Sequence, residues 1–143
     1  MSENPKRPDI TPEQRAFAEN ALHSLPFSKL IGMKLVDLQP DIAVLSIEMR
    51  DDLRQPSGVL HGGVTATLID TAMAFAVRTR LAMTEATATI DLTVHYLRPH
   101  LEGTFICTAK VVRAGKRIFT VSAEVHSEDG RQIATGLSTY TRV

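Results

Sequence analysis

Two hydrophobic rhythms divide this chain. From Met33 to Met49, and again from Thr87 to Arg142, apolar residues tend to recur at every second position, the spacing of half-buried strands. Between those regions, Val64-Thr65-Ala66-Thr67-Leu68-Ile69-Asp70-Thr71-Ala72-Met73-Ala74-Phe75-Ala76-Val77 is apolar with almost no relief. Asp70 is its only charge, and no glycine or proline interrupts it. The Gly62-Gly63 pair opens this run, which predicts one long helix ending near Leu81 to Thr84. A helix apolar on all sides is expected to be wrapped by other structure.

The remaining elements follow in order. Residues 1–10 carry Pro5 and Pro8 among charges and are expected to stay loose. Thr11-Pro12-Glu13-Gln14 spells a helix start: Thr11 caps, Pro12 suits the first turn, and Gln14 closes a capping box. Phe17, Ala21 and either Leu22 or Leu25 give that helix its apolar side before Pro26 stops it, and Phe27 to Ile31 forms a short turn closed by Gly32. Lys34–Leu38 and Ile42–Met49 read as a hairpin through Pro40-Asp41. After the long helix, strands are expected at 87–97, 104–113, 118–127 and 131–142, with turns at Ala114-Gly115-Lys116 and Glu128-Asp129-Gly130. Alternation puts Thr87, Thr89, Asp91, Thr93 and His95 on one face of the first of these. Tight turns make the last four strands antiparallel neighbours. The fold class is α+β, with about six antiparallel strands curled around one central helix in a single domain from residue 11 to 143.

Composition narrows the function classes. Sixteen basic residues balance sixteen acidic ones, so no global field draws the protein to nucleic acid or an anionic membrane. No apolar run reaches membrane-spanning length, and the N-terminus has no apolar region of the secretory kind. Cys107 stands alone, which suits a reducing compartment. A cytoplasmic protein without nucleic-acid or membrane partners is expected.

Chemistry gathers at Gln55-Pro56-Ser57-Gly58-Val59-Leu60-His61-Gly62-Gly63 and at Asp70. A helix start leaves backbone N–H groups free to meet negative charge developing on a carbonyl oxygen. The Gln55 amide offers a second donor, and a desolvated aspartate can deprotonate water or attack the carbonyl itself. Acyl transfer to water uses all of these parts. Asp70 lies eight residues beyond Gly62, about 12 Å along a helix axis, too far to act on a carbonyl polarised by the same chain's Gly62. A second copy of the helix, antiparallel across a two-fold axis, brings one Asp70 to the other Gly62. If both serve one reaction, the protein is at least a dimer with its sites at the interface.

The motif Gln55-x-x-Gly58-x-x-His61-Gly62-Gly63 followed by Asp70, together with Thr89-Ile90-Asp91-Leu92-Thr93-Val94-His95-Tyr96-Leu97-Arg98-Pro99, resembles the hotdog-fold thioesterases of the PaaI-like, phenylacetate-pathway type. The resemblance covers residues 27–142. It implies hydrolysis of acyl-CoA thioesters by a homodimer or a dimer of dimers (a homotetramer), with no metal and no organic cofactor. By the same resemblance Asp70 is the acidic catalyst, Gly62 the oxyanion donor, Gln55 the polarising amide, and His61 the residue shaping the loop. Thr89 falls where some relatives hold the attacking water with a hydroxyl. Ala74 departs from the pattern, because relatives can carry Ser or Thr four residues after the acid. Gly63, Ala74, Arg98, Lys116 and Arg117 complete the expected substrate-binding set, the basic three facing CoA phosphates.

Plainer readings stand beside these. Asp70 can be a structural carboxylate paired with Arg78 or Arg98, His61 a simple helix cap, Gln55 an ordinary loop amide and Thr89 half-buried packing. His61, His95, His100 and Asp70 lack a compact metal-ligand spacing. Cys107 and the phenylalanines Phe75, Phe105 and Phe119 read as core. Two other functions use the same fold: a non-catalytic acyl-CoA-binding protein, and an enoyl-CoA hydratase, which draws Asp and His from a different loop motif.

Overall fold

The computed structural model describes residues 6–143, and the expectation for residues 1–5 lies outside them. Its longest helix, α3 (Gly62–Arg78), lies against one antiparallel sheet of six strands. The strands are β1 (Lys34–Gln39), β2 (Ile42–Glu48), β3 (Thr87–Tyr96), β4 (Thr104–Ala114), β5 (Ile118–Ser127) and β6 (Gln132–Arg142), in the spatial order β1-β2-β4-β5-β6-β3. Helix α3 touches every strand from β2 to β6, which requires the sheet to curl around it. Leu68, Ile69, Ala72, Met73, Ala76 and Val77 on the helix are fully buried against Leu45, Ile47, Phe105, Cys107, Val121 and Val125. This is the hotdog architecture.

The short elements form for local reasons. Helix α1 (Pro12–Ser24) carries the full capping box: Thr11 Oγ1 accepts from the Gln14 N–H at 3.1 Å, and Gln14 Oε1 accepts from the Thr11 N–H at 2.9 Å. Helix α2 (Pro26–Ile31) ends on Gly32, whose φ of 80° only glycine adopts without cost. The β1–β2 hairpin turns at Asp41 with φ 71°. Two arginines hold that aspartate, Arg7 at 2.6 Å and Arg80 at 2.6 Å. Arg7 also donates to the Thr79 carbonyl at 2.8 Å.

Four expectations need correction. Helix α3 stops at Arg78, short of Leu81, because the Thr79 hydroxyl turns back to the Ala76 carbonyl at 2.7 Å and the chain continues in tight turns. The helix is also not wrapped all round: Thr67, Asp70, Thr71 and Ala74 form a stripe that stays half-buried. Of the last four strands, β4, β5 and β6 are sequential antiparallel neighbours as expected, but β3 pairs with β6 at the sheet edge rather than with β4, whose other neighbour is β2. Residues 97–103, with Pro99, form a connection rather than a tight turn. Seven residues reach about 23 Å, enough to cross the roughly 14 Å from β3 to β4.

The fourth correction concerns faces. Strand β3 has a bulge between Thr89 and Asp91: Thr89 pairs with Tyr140 while Asp91 pairs with Thr139. One residue, Ile90, is extra, so Thr89 shares the inner face with Leu92, Val94 and Tyr96, and Asp91, Thr93 and His95 face outward. The Asp91 carboxylate fills the gap in the ladder, accepting the Thr139 N–H at 2.8 Å.

Candidate active site

The bulge carries Thr89 to Asp70. Its hydroxyl donates to Asp70 Oδ1 at 2.8 Å, and the Tyr140 phenol donates to the same oxygen at 2.6 Å. That phenol also lies 2.7 Å from the Asp70 main-chain carbonyl. Burial, and then the carboxylate beside it, push the Tyr140 hydroxyl well above the usual phenol range, so it stays protonated and acts as a donor. Asp70 Oδ2 accepts no bond among the described residues and is not sealed from solvent. The half-buried Ala74 stands one turn further along the helix.

The helix start forms a second cluster. His61 is the N-cap of α3, and its Nδ1 accepts the Gly63 N–H at 2.9 Å. In the neutral ring that bond places the remaining proton on Nε2. The Tyr96 hydroxyl donates to the Gly62 carbonyl at 2.8 Å, and its ring covers Gly62 so closely that a Cβ there would lie 3.2 Å from it. Gly63 is equally constrained, since a Cβ would sit 3.0 Å from His61 Nδ1. The Gly62 N–H makes no bond among the described residues. Beside it opens a cleft of about 330 Å³, lined in part by Leu60, Gly62, Tyr96, Leu97, Arg98 and Ile133.

The Gln55 loop is held rather than free. Arg54 donates to the Gly58 and Leu101 carbonyls at 2.8 Å each, and to Glu102 Oε1 at 2.8 Å. The Leu60 N–H reaches the His100 carbonyl at 2.9 Å, and the His61 N–H reaches the Leu53 carbonyl at 2.8 Å. Gln55 Oε1 accepts from the Ser57 N–H at 3.2 Å, which leaves its NH₂ group without a partner among the described residues.

Within one chain these residues fall into two groups. Asp70 and Thr89 meet; Gly62, Gly63, His61 and Arg98 gather at the helix start; and about 12 Å of helix separates the groups. Exposed Lys116 and Arg117 sit on the β4–β5 turn, at the Thr89 end of the sheet, where Thr89, Tyr140 and Phe119 lie side by side in register. Neither Arg98 nor Arg78 partners Asp70. Arg98 donates to the Gln132 carbonyl at 2.9 Å, while Arg78 donates to the Glu85 carbonyl and lies over the Phe17 ring. His100 is buried edge-on against Phe105, with Nε2 3.2 Å from the Gly103 carbonyl. Among the described residues, no three His, Cys, Asp or Glu side chains cluster as metal ligands.

Sequence reasoning missed Tyr140, Tyr96 and Arg54. Tyr140 occupies an inward position in an alternating strand, and such a tyrosine needs a partner for its hydroxyl. That signal says a partner exists without saying which one.

Comparison with known proteins bears directly on these clusters. The Thioesterase superfamily model matches residues 57–134, a span running from the loop after Gln55 through α3, β3, β4 and β5 to the start of β6. The medium/long-chain acyl-CoA thioesterase YigI of Escherichia coli is 29% identical over 148 residues, covering 92% of this chain and 96% of that one. A solved mutant structure of the phenylacetic acid degradation protein PaaI from Thermus thermophilus is 32% identical with a TM-score of 0.76, covering 83% of this chain and 100% of that one. The Escherichia coli PaaI structure shares the fold at a TM-score of 0.86 and 21% identity, covering 94% of this chain and 96% of that one.

Proposed function

The chain belongs to the thioesterase superfamily, and from that premise we propose that it hydrolyses acyl-CoA thioesters to free acid and CoA at sites shared between two copies. The observation that carries this reading is the separation of two complementary half-sites along one helix. Asp70 has an accepting oxygen open to solvent, and Gly62 has an uncommitted N–H. Apart they do nothing together; across a two-fold axis with antiparallel α3 helices they face one another. The half-buried stripe at Thr67, Asp70, Thr71 and Ala74 supports that packing, because small side chains let helices approach closely. Strand β3 supports it too, as a ten-residue edge strand with Ile90 and Tyr96 exposed.

In the proposed step, Asp70 of one copy takes a proton from water held by the Thr89 hydroxyl. The resulting hydroxide adds to the thioester carbon, and the carbonyl electrons move onto oxygen, where the Gly62 N–H and Gln55 amide of the other copy meet them. Collapse of that intermediate breaks the C–S bond and releases CoA thiolate, to which the Asp70 proton returns through solvent. Direct attack by Asp70 Oδ2 would pass through a mixed anhydride that water then opens. His61 holds the helix start, while Arg98 of one copy and Lys116 and Arg117 of the other take the CoA phosphates. No cofactor or metal enters the scheme. The setting we propose is cytoplasmic; in the described residues no helix is long and apolar enough to cross a membrane.

The test is a thiol-release screen with short, medium, long and aryl-acyl CoA esters on the wild type and Asp70→Asn. Asp70→Asn should stay folded and lose nearly all turnover. Unchanged turnover, or binding of acyl-CoA with no thiol released by the wild type, ends the proposal.

A further inference from the structure

Buried beneath Asp70 is a group the scheme above does not use. Tyr140 is only 1% exposed and sits on β6 between its register partners Thr89 on β3 and Phe119 on β5. A tyrosine at a core position is costly unless its hydroxyl is bonded, and an apolar ring of the same size would fill the space without that cost. Here the hydroxyl reaches one residue twice, lying 2.6 Å from Asp70 Oδ1 and 2.7 Å from the Asp70 carbonyl, with the Thr89 and Ser138 hydroxyls beside it. We propose that Tyr140 is a positioning residue for thioester hydrolysis, fixing the Asp70 rotamer so that Oδ2 alone faces water and substrate.

The geometry gives this its force. An aspartate on a helix surface has more than one staggered χ1 state open to it. One phenol oxygen reaches both Oδ1 and the residue's own carbonyl, so Tyr140 restrains rotation of the Asp70 side chain. Thr89 approaches the same Oδ1 from a different strand. Two donors on one oxygen leave the other as the free acceptor, and β3 and β6 hold both donors more firmly than loops would. No charged partner competes for this task. The other inward-facing titratable groups on the strands against α3 are Tyr96 on β3, Arg142 on β6 and Cys107 on β4. Tyr96 serves Gly62, Arg142 lies by Glu85 and the Phe119 ring, and Cys107 is a buried thiol.

This inference rests on the reading of Asp70 as the reacting acid, and its test separates the two. Crystal structures and steady-state kinetics of wild type and Tyr140→Phe are compared. Tyr140→Phe should release Asp70 into another rotamer and lower kcat about 10- to 100-fold, the scale of an ångström-level misplacement, with KM within about twofold. A purely structural role would lower the melting temperature and leave kcat intact. An unchanged Asp70 rotamer in Tyr140→Phe overturns the proposal whatever the rate does, and so does a changed rotamer with undiminished kcat. If the wild type releases no thiol, the thioesterase reading falls and the rotamer comparison alone decides the role of Tyr140. Should Tyr140→Phe not fold, Thr89→Val reads the same clamp. With Tyr140 present the Asp70 rotamer should persist in the crystal structure of Thr89→Val, even though kcat falls because the attacking water loses its anchor. A lost rotamer assigns the hold to Thr89 and overturns the proposal.

Discussion

Replacing Gly136 with alanine should unseat the central helix at Asp70. Gly136 lies on the inner face of β6, paired with Val94 and Ala123. A Cβ built there would sit 2.7 Å from Ile69 Cγ2 and 3.2 Å from Met73 Cε. Comfortable carbon contacts begin near 3.5 Å, so helix or strand must move by roughly 0.8 Å at Ile69. Met73 can swing away, since the contact is its flexible tip. Ile69 cannot, because a β-branched side chain on a helix has essentially one χ1 state. Overpacking of this kind costs about 1–3 kcal/mol, and for a chain of this size each kcal/mol lowers Tm by about 2–5 °C. Glycine to alanine where the backbone tolerates it would instead raise stability by about 0.4–1 kcal/mol, so the two outcomes differ in sign. Because Ile69 adjoins Asp70, kcat should also fall, by about tenfold or more. Thermal unfolding followed by circular dichroism, with thiol release in parallel, reads both. A Gly136→Ala protein as stable as wild type would refute the claim that this strand and helix touch too closely for a methyl group.

Other outcomes follow from the same contacts. Arg54→Ala removes three bonds that staple the Gln55 loop; kcat/KM should fall several-fold while Tm changes little, as measured by kinetics and calorimetry. Burial works against the Asp41 carboxylate, yet Arg80 and Arg7 outweigh it and hold the group below its ordinary 3.8. Its contribution is therefore complete above that value and is lost as pH falls through the lowered one. Asp41→Asn should cost about 1–2 kcal/mol near neutrality and flatten the acid end of a Tm-against-pH curve, and parallel curves for the two proteins would rule this out. Burial pushes the Cys107 thiol up to about 12, so a thiol reagent should label it only as fast as the protein opens, with the rate rising steeply in denaturant.

Local signals were legible and distant ones were not. The Thr11–Gln14 capping box, the Gly32 stop, the hairpin at Asp41 and the long helix each follow from neighbouring residues, and each forms. The place of β3 beside β6 could not be read, because a seven-residue connection does not say which edge it reaches. Two tools misled. Plain alternation placed Thr89 with Asp91, since a bulge leaves no mark in a run of Thr, Ile and Asp. Apolar content implied a helix covered on every side, although Thr67, Thr71 and Ala74 are small residues as much as buried ones. At the candidate site, motif spacing singled out Asp70, His61 and Gly62. It said nothing of Tyr140, seventy residues away in sequence and joined to Asp70 only by the fold.

The extra residue in β3 turns strand phase into something that can be toggled. Asp91 acts as the pawl: with its carboxylate on the Thr139 N–H, the upstream half of the strand cannot slide forward to absorb Ile90. Release that catch, as Asp91→Ala would, and simple pleating could return, setting Ile90 opposite Tyr140 and swinging the Thr89 hydroxyl to the far side of the sheet. Excising Ile90 outright, by contrast, would leave every neighbour facing as it does now. In this strand a deletion is gentler than a point change at a residue that never approaches the carboxylate of Asp70.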